Sequence, residues 1–320
     1  MSGHRARLVA LVLTLAPIAA LPVALPALTS AGAASSTPPT SVRSETAPEE
    51  RPIAAPKTSV RRTPRAPASR TQARREPASP TTWRTRLTAS FARLRPTLPA
   101  RRVGVAVVVV GRSDPLTLGT WRTGPAWSTI KVPLSIAALH EGNSRSLVKR
   151  AITRSDNAAA EALWARLGSG RRAASRVDAV LAADGDRHTR TQWRRVRAAF
   201  TPFGQTTWSL ADQLRFTGGL ACDRHAALVR ADMAAVVPSQ RWGLGRVARA
   251  RIKGGWGPDT SSRYLVRQLA LVPRGHDLVA VVVAVQPSNG SFAQGVRALD
   301  RVAAWLRTSL PSLPSSSRTC

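Results

Sequence analysis

The sequence predicts an α/β (α+β) domain: a mainly antiparallel five-stranded sheet with flanking helices and a helical subdomain. Three observations carry this. Two early strand-like runs, residues 103–111 and 115–121, precede a long Ala-, Arg- and Leu-rich stretch that reaches about residue 248 and reads as mostly helical. Three further strand-like runs, 249–257, 263–273 and 276–287, then follow closely, joined by turn-forming Pro, Gly and Asp. An amphipathic pattern over 291–310 closes the domain as a helix. No internal repeat is visible.

Residues 1–33 read as a signal peptide: His4, Arg5 and Arg7 make a basic start, Leu8 to Leu28 an apolar run, and Ala31-Gly32-Ala33 a small-residue cleavage site. The rival reading is an uncleaved N-terminal membrane anchor, because the apolar run is long enough to span a bilayer. Pro17, Pro22 and Pro26 weaken a helix there. The expected location is therefore secreted or cell-envelope associated. Residues 34–82 are rich in Pro, Ser, Thr and Arg with almost no large apolar side chains, so they form a disordered linker that cannot bury enough surface to fold.

The folded domain is expected over 83–308, with 309–320 as a flexible tail. In 83–94, Leu87, Phe91 and Leu94 recur at helical spacing and Pro96 stops the helix. The run VGVAVVVVG (103–111) is a buried strand by its β-branched content and bounding glycines, and PLTLGTW is its hairpin partner.

The formal net charge is +31; nine basic and four acidic residues put +5 in 34–80, two arginines put +2 in 1–33, and +24 is left for 81–320. A field of that sign on an exported protein suits anionic envelope polymers as partners. Nucleic acid is disfavoured, since the arginines are dispersed and the nine Trp do not interleave with basic clusters. Oligomeric state is left open. Two cysteines, Cys222 and Cys320, exclude a disulfide framework; they could pair with each other, or Cys320, as the last residue, could stay free. Without HExxH or paired CxxC, neither a metal nor a cofactor is expected. No GxSxG occurs, and His140, His188, His225 and His276 have no distinctive setting.

The chain contains 44 Arg and only 4 Lys, so each lysine asks for a reason. In WSTIKVPLSIAAL, Ser128 and Lys131 stand one helical turn apart at the head of an apolar helix. A hydroxyl becomes a nucleophile when a base removes its proton; a buried lysine can lose its own proton and serve, whereas arginine stays charged. By chance SxxK should occur about 0.4 times here, and a second copy, Ser146 and Lys149, sits in a polar stretch and reads as surface. The triplet Ser155-Asp156-Asn157 is far rarer, with a chance expectation of about 0.01. Asp156 also suits a helix N-cap. In RIKGGWG, Lys253 precedes Gly254 and Gly255, where a substrate could lie against a strand backbone.

Taken in order, SxxK, SDN and KxG resemble the active-site motifs of the penicillin-recognising serine hydrolases, the class A β-lactamases and D-alanyl-D-alanine peptidases. The resemblance spans roughly residues 84–307 and implies a β-lactamase/transpeptidase-like fold and an acyl-serine mechanism on β-lactam or peptidoglycan-type amide bonds. It implies catalytic roles for Ser128 (acylated), Lys131 (its activator) and Ser155 (proton relay to the leaving nitrogen). It implies that Asn157 holds a substrate amide, that Lys253 supplies positive potential, and that Gly255 and Trp256 line the substrate strand. The backbone N–H groups of Ser128 and Trp256 would form the oxyanion hole.

Three features depart from the pattern. Gly254 stands where the family has Thr or Ser, the interval from Ser128 to Ser155 is short, and no ExxLN-like loop follows the second motif, Glu161 being the last glutamate in the chain. The third departure predicts slow release of an acyl-enzyme. The first and third are also what a catalytically degenerate relative that binds envelope material would show.

Overall fold

The protein is described by a computed structural model over residues 80–316. The signal segment, the linker up to residue 79 and Cys320, with its pairing, lie outside the described residues. Helix α1 (Pro80–Leu94) starts ahead of the expected domain boundary at Trp83, with proline at its first position, where the missing N–H costs nothing. Strands β1 (Ala100–Val109) and β2 (Leu116–Gly119) form the predicted hairpin. The three late strands are β5 (Arg251–Pro258), β6 (Tyr264–Arg274) and β7 (Asp277–Pro287). Together they make a five-stranded antiparallel sheet in the order β2-β1-β7-β6-β5, with β5 at one edge.

The β-branched runs are apolar on both faces because helices cover both faces. Val103, Val105, Val107 and Val109 of β1, with Val279, Val281, Val283 and Val285 of β7, pack against α8 (Phe292–Ser309) and α1. Ala106 of β1, with Ala280, Val282 and Ala284 of β7, faces α6 (Leu210–Leu220) and the helical layer. The period of two fixes which residues meet which layer, and a one-residue slip would exchange them.

The helical layer contains α2 (Lys131–His140), α3 (Arg145–Thr153), α4 (Asn157–Arg166), α5 (Gly170–Ala183) and α7 (Ala227–Ala234). Helix α2 is buried from Lys131 through Ala138, because α3, α4, α5 and α7 surround it. That all-round apolar character is what a central helix requires.

Three findings correct the sequence reading. A two-stranded ribbon pairs β3 (Thr123–Pro125) with β4 (Thr207–Ser209), segments too short to show a period. Residues 184–206 form a long loop closing in a single 3-10 turn rather than a helix. Polar side chains satisfy its backbone: the amide of Gln205 donates to the carbonyls of Arg197, Phe200 and Thr201, and Asp186 accepts from the N–H groups of His188 and Thr189. Residues 309–316 of the expected tail are packed. Leu310 and Leu313 are buried, and Arg274 donates to the carbonyls of Leu310, Leu313 and Pro314. Among the described residues no helix is long and apolar enough to cross a membrane.

Candidate active site

Ser128 lies in a 3-10 turn, Trp127–Ile130, and the N–H of Lys131 donates to the carbonyl of Ser128 as α2 begins. In a 3-10 turn residues three apart eclipse, so the two side chains share a face. Both line one cavity of about 390 Å³, together with Asn157 and Trp256. The Ser128 hydroxyl makes no hydrogen bond within the described residues and stays half-buried at the cavity wall. Its predecessor Trp127 adopts φ +50°, a left-handed conformation costly for a bulky residue, of the kind that collects at functional sites.

Lys131 is buried at the head of α2, and its Nζ donates to Ser155 O at 2.6 Å and to Asn157 Oδ1 at 2.6 Å, with Ser155 Oγ at 3.4 Å. Burial pulls its amine down to about 7, against a smaller upward pull from Asp156 and Glu161. The two short bonds consume both N–H groups of a neutral amine and leave its lone pair free.

Ser155 precedes α4 with φ +55°, and Asp156 is the N-cap, accepting from Ala159 N–H at 2.9 Å and bonded to Arg150 at 2.5 and 2.9 Å. Asp156 thus anchors the SDN turn from outside while Ser155 and Asn157 point inward. The N-terminal bonds and Arg150 hold the Asp156 carboxyl below the usual range. Lys253, on β5, is fully buried and donates to Ser155 Oγ at 2.8 Å and Gly254 O at 3.0 Å. Its pKa falls well below the usual lysine value, from burial first and then from Lys131 nearby. Two amines on one hydroxyl cannot both be charged cheaply.

The glycines after Lys253 have separate reasons. A Cβ on Gly255 would lie 2.9 Å from Ala126 O and from the nitrogens of Ser128 and Thr129, so only glycine lets β5 rest on the turn that carries Ser128. A Cβ on Gly254, on the opposite face, would meet the Trp242 ring at 3.0 Å. Trp242 fills the space beside Gly254, and packs against Trp256 and Phe292.

Of the seven sequence-predicted residues, Ser128, Lys131, Asn157 and Trp256 line the cavity, Ser155 and Lys253 join them through hydrogen bonds behind Lys131, and Gly255 packs against the Ser128 turn. The decoy pair does none of this: Ser146 and Lys149 are exposed on α3. Sequence reasoning missed Glu161 and Arg195, which line the same cavity and are bonded at 2.9 Å. Glu161 follows Asn157 by four residues on α4, a spacing that places both on one face and that could have found it. Arg195 belongs to the 184–206 loop, which Arg197 ties to Pro258 O on β5 at 2.6 Å. Phe200 of the same loop meets Trp127 edge-on at 5.1 Å. A larger cavity of about 590 Å³ lies between the end of β1 and α6 and contains none of these groups; chemistry, not volume, defines the site.

The sequence matches no known protein family and no curated protein. Solved structures, however, are similar to it in fold. A β-lactamase from Xanthomonas campestris aligns over 71% of this chain and 98% of its own, at 18% identity and TM-score 0.56. A β-lactamase from Chitinophaga pinensis covers 71% and 98% at 16% identity, TM-score 0.57, and an ancestral class A β-lactamase covers 70% and 99% at 19%, TM-score 0.54. The chain has the fold of the class A β-lactamases and, at that level, of the penicillin-recognising serine hydrolases.

Proposed function

We propose that the protein is an exported serine acyl-hydrolase, secreted or envelope-anchored, that acts through an acyl-serine intermediate on β-lactam or cell-wall peptide amide bonds. The observation that carries this reading is the Lys131 amine, buried, pulled to about 7, and opening on the same cavity as the Ser128 hydroxyl. A lysine in that state is a proton acceptor near neutral pH.

In the proposed reaction the Lys131 lone pair takes the Ser128 proton as Oγ bonds to the substrate carbonyl carbon. The N–H groups of Ser128 and Trp256 stabilise the oxyanion. Ser155, bonded to Lys253 and near Lys131, delivers a proton to the leaving nitrogen as the amide C–N bond breaks. Asn157 orients the substrate amide and fixes Lys131. Lys253 was expected to supply positive potential; full burial and its neighbour weaken that charge, and its bond to Ser155 supports a relay role instead.

The second reading is a non-catalytic relative that binds anionic envelope polymers, favoured by Gly254 and the Trp242 ring beside it. A fluorescent penicillin with mass spectrometry separates the two. A covalent adduct on Ser128, absent from Ser128→Ala, is expected; salt-sensitive wall binding with no adduct in either protein would favour the binding reading.

A further inference from the structure

We infer that Glu161 is the general base that activates water to release the acyl group from Ser128. This rests on the acyl-serine reading above. An ester on Ser128 is hydrolysed only if a water beside it can lose a proton, so the cleft must offer an acceptor. Among the described residues lining the Ser128 cavity, Glu161 is the one carboxylate. Lys131 donates to Ser155 O and Asn157 Oδ1, and its one lone pair is the acceptor for the Ser128 proton in acylation, so a separate acceptor for the water falls to the carboxylate.

The placement of Glu161 follows from α4. Asn157 reaches Lys131 from the first turn of that helix, and Glu161, one turn on, projects from the same face into the same cavity. Its negative charge is felt at Lys131, whose pKa it raises. Arg195 holds the carboxylate at 2.9 Å and is itself fixed by the carbonyls of Ala198 and Phe200. Both side chains are nearly half exposed, 46% and 47%, so water reaches the carboxylate. An ion pair in that setting orients the group while holding it only weakly.

The step balances as follows. The water oxygen bonds to the ester carbonyl carbon while Glu161 accepts one water proton. The carbon–Oγ bond then breaks, and the proton returns through Lys131 to Ser128 Oγ, freeing a carboxylic acid and restoring the hydroxyl. This places the deacylating carboxylate on the SDN helix, in a chain without the ExxLN-type loop.

The test is the ratio of deacylation to acylation rate in the full chain, followed by intact mass with a penicillin probe. Glu161→Gln is expected to lower that ratio about 100-fold, with the adduct accumulating on Ser128, and Glu161→Asp to restore part of it. An equal ratio in the parent and Glu161→Gln, adduct present in both, overturns the inference and leaves the acyl-serine reading standing. No adduct in either the parent or Glu161→Gln, with no hydrolysed probe released by the parent, overturns that reading, and the inference with it.

Discussion

Two buried cationic centres lie back to back in this protein, and they resolve the same problem in opposite ways. At the cleft, Lys131 is drawn by burial to about 7 and can meet its surroundings as a neutral amine. Behind the Ser128 turn, Arg267 of β6 is fully buried, opposite Gly255 in the strand register. Burial lowers it only to about 9, so it stays charged at neutral pH. No carboxylate bonds it among the described residues. Its Nη1 donates to the carbonyls of Gly124 (3.1 Å), Pro125 (2.9 Å) and Trp208 (3.3 Å), its Nη2 to Gln213 Oε1 at 2.5 Å, and its plane lies over Trp121. Gln213 continues to Thr129 Oγ1 at 2.9 Å, and Thr129 to Ala126 O at 2.6 Å. Desolvation therefore leaves the lysine able to lose its proton near neutral pH and the arginine still charged, holding the turn that carries Ser128.

The sharpest way to break this contrast is Lys131→Arg, which keeps the charge and removes the base. Acylation by a penicillin probe should fall roughly 10²–10⁴-fold, and a variant that still acylates at the parent rate would void the distinction. Arg267→Met removes the clamp and leaves the carbonyls of Gly124, Pro125 and Trp208 and the Gln213 amide oxygen short of a donor; a loss of about 1–3 kcal/mol or more is expected in urea unfolding. Gly255→Ala drives a methyl against the turn that both centres support, for about 1–3 kcal/mol and a slower acylation in stopped flow.

The two cations also separate by pH. Lys131 has a folded value near 7 and an unfolded one near 10.5, so between these limits the unfolded chain binds the extra proton. Its penalty on the fold is full below about 7 and is relieved as pH rises towards 10.5, by up to about 1.4 kcal/mol per unit, seen in urea midpoints. The acylation rate should rise through about 7 as the amine gives up its proton. The smallest effect is expected outside the pair: Asp156→Ala removes the α4 cap for about 1 kcal/mol, read as a shift in Tm.

Much of the fold was legible. The valine runs of β1 and β7 carry their period and bounding turns openly, and the apolar run after Lys131 is a buried helix in the sequence as in the structure. The β3–β4 ribbon and the 184–206 loop were not legible. The first is held by partners far apart in the chain, and the second by side chains bonding their own loop's backbone, which leaves no period to read.

The sequence alone marked the residues to which the proposed chemistry is assigned. Ser128, Lys131, Ser155, Asn157 and Lys253 stand in short motifs whose spacing is local, and a rare lysine among arginines marks a place where proton loss matters. Tertiary structure decided what those residues became. Only the enclosure of α2 by four helices removes water from Lys131, only the approach of β5 puts Lys253 on Ser155, and only the long loop brings Arg195 to Glu161. Burial and electrostatic coupling are properties of neighbours in space, and no periodicity in the chain encodes them.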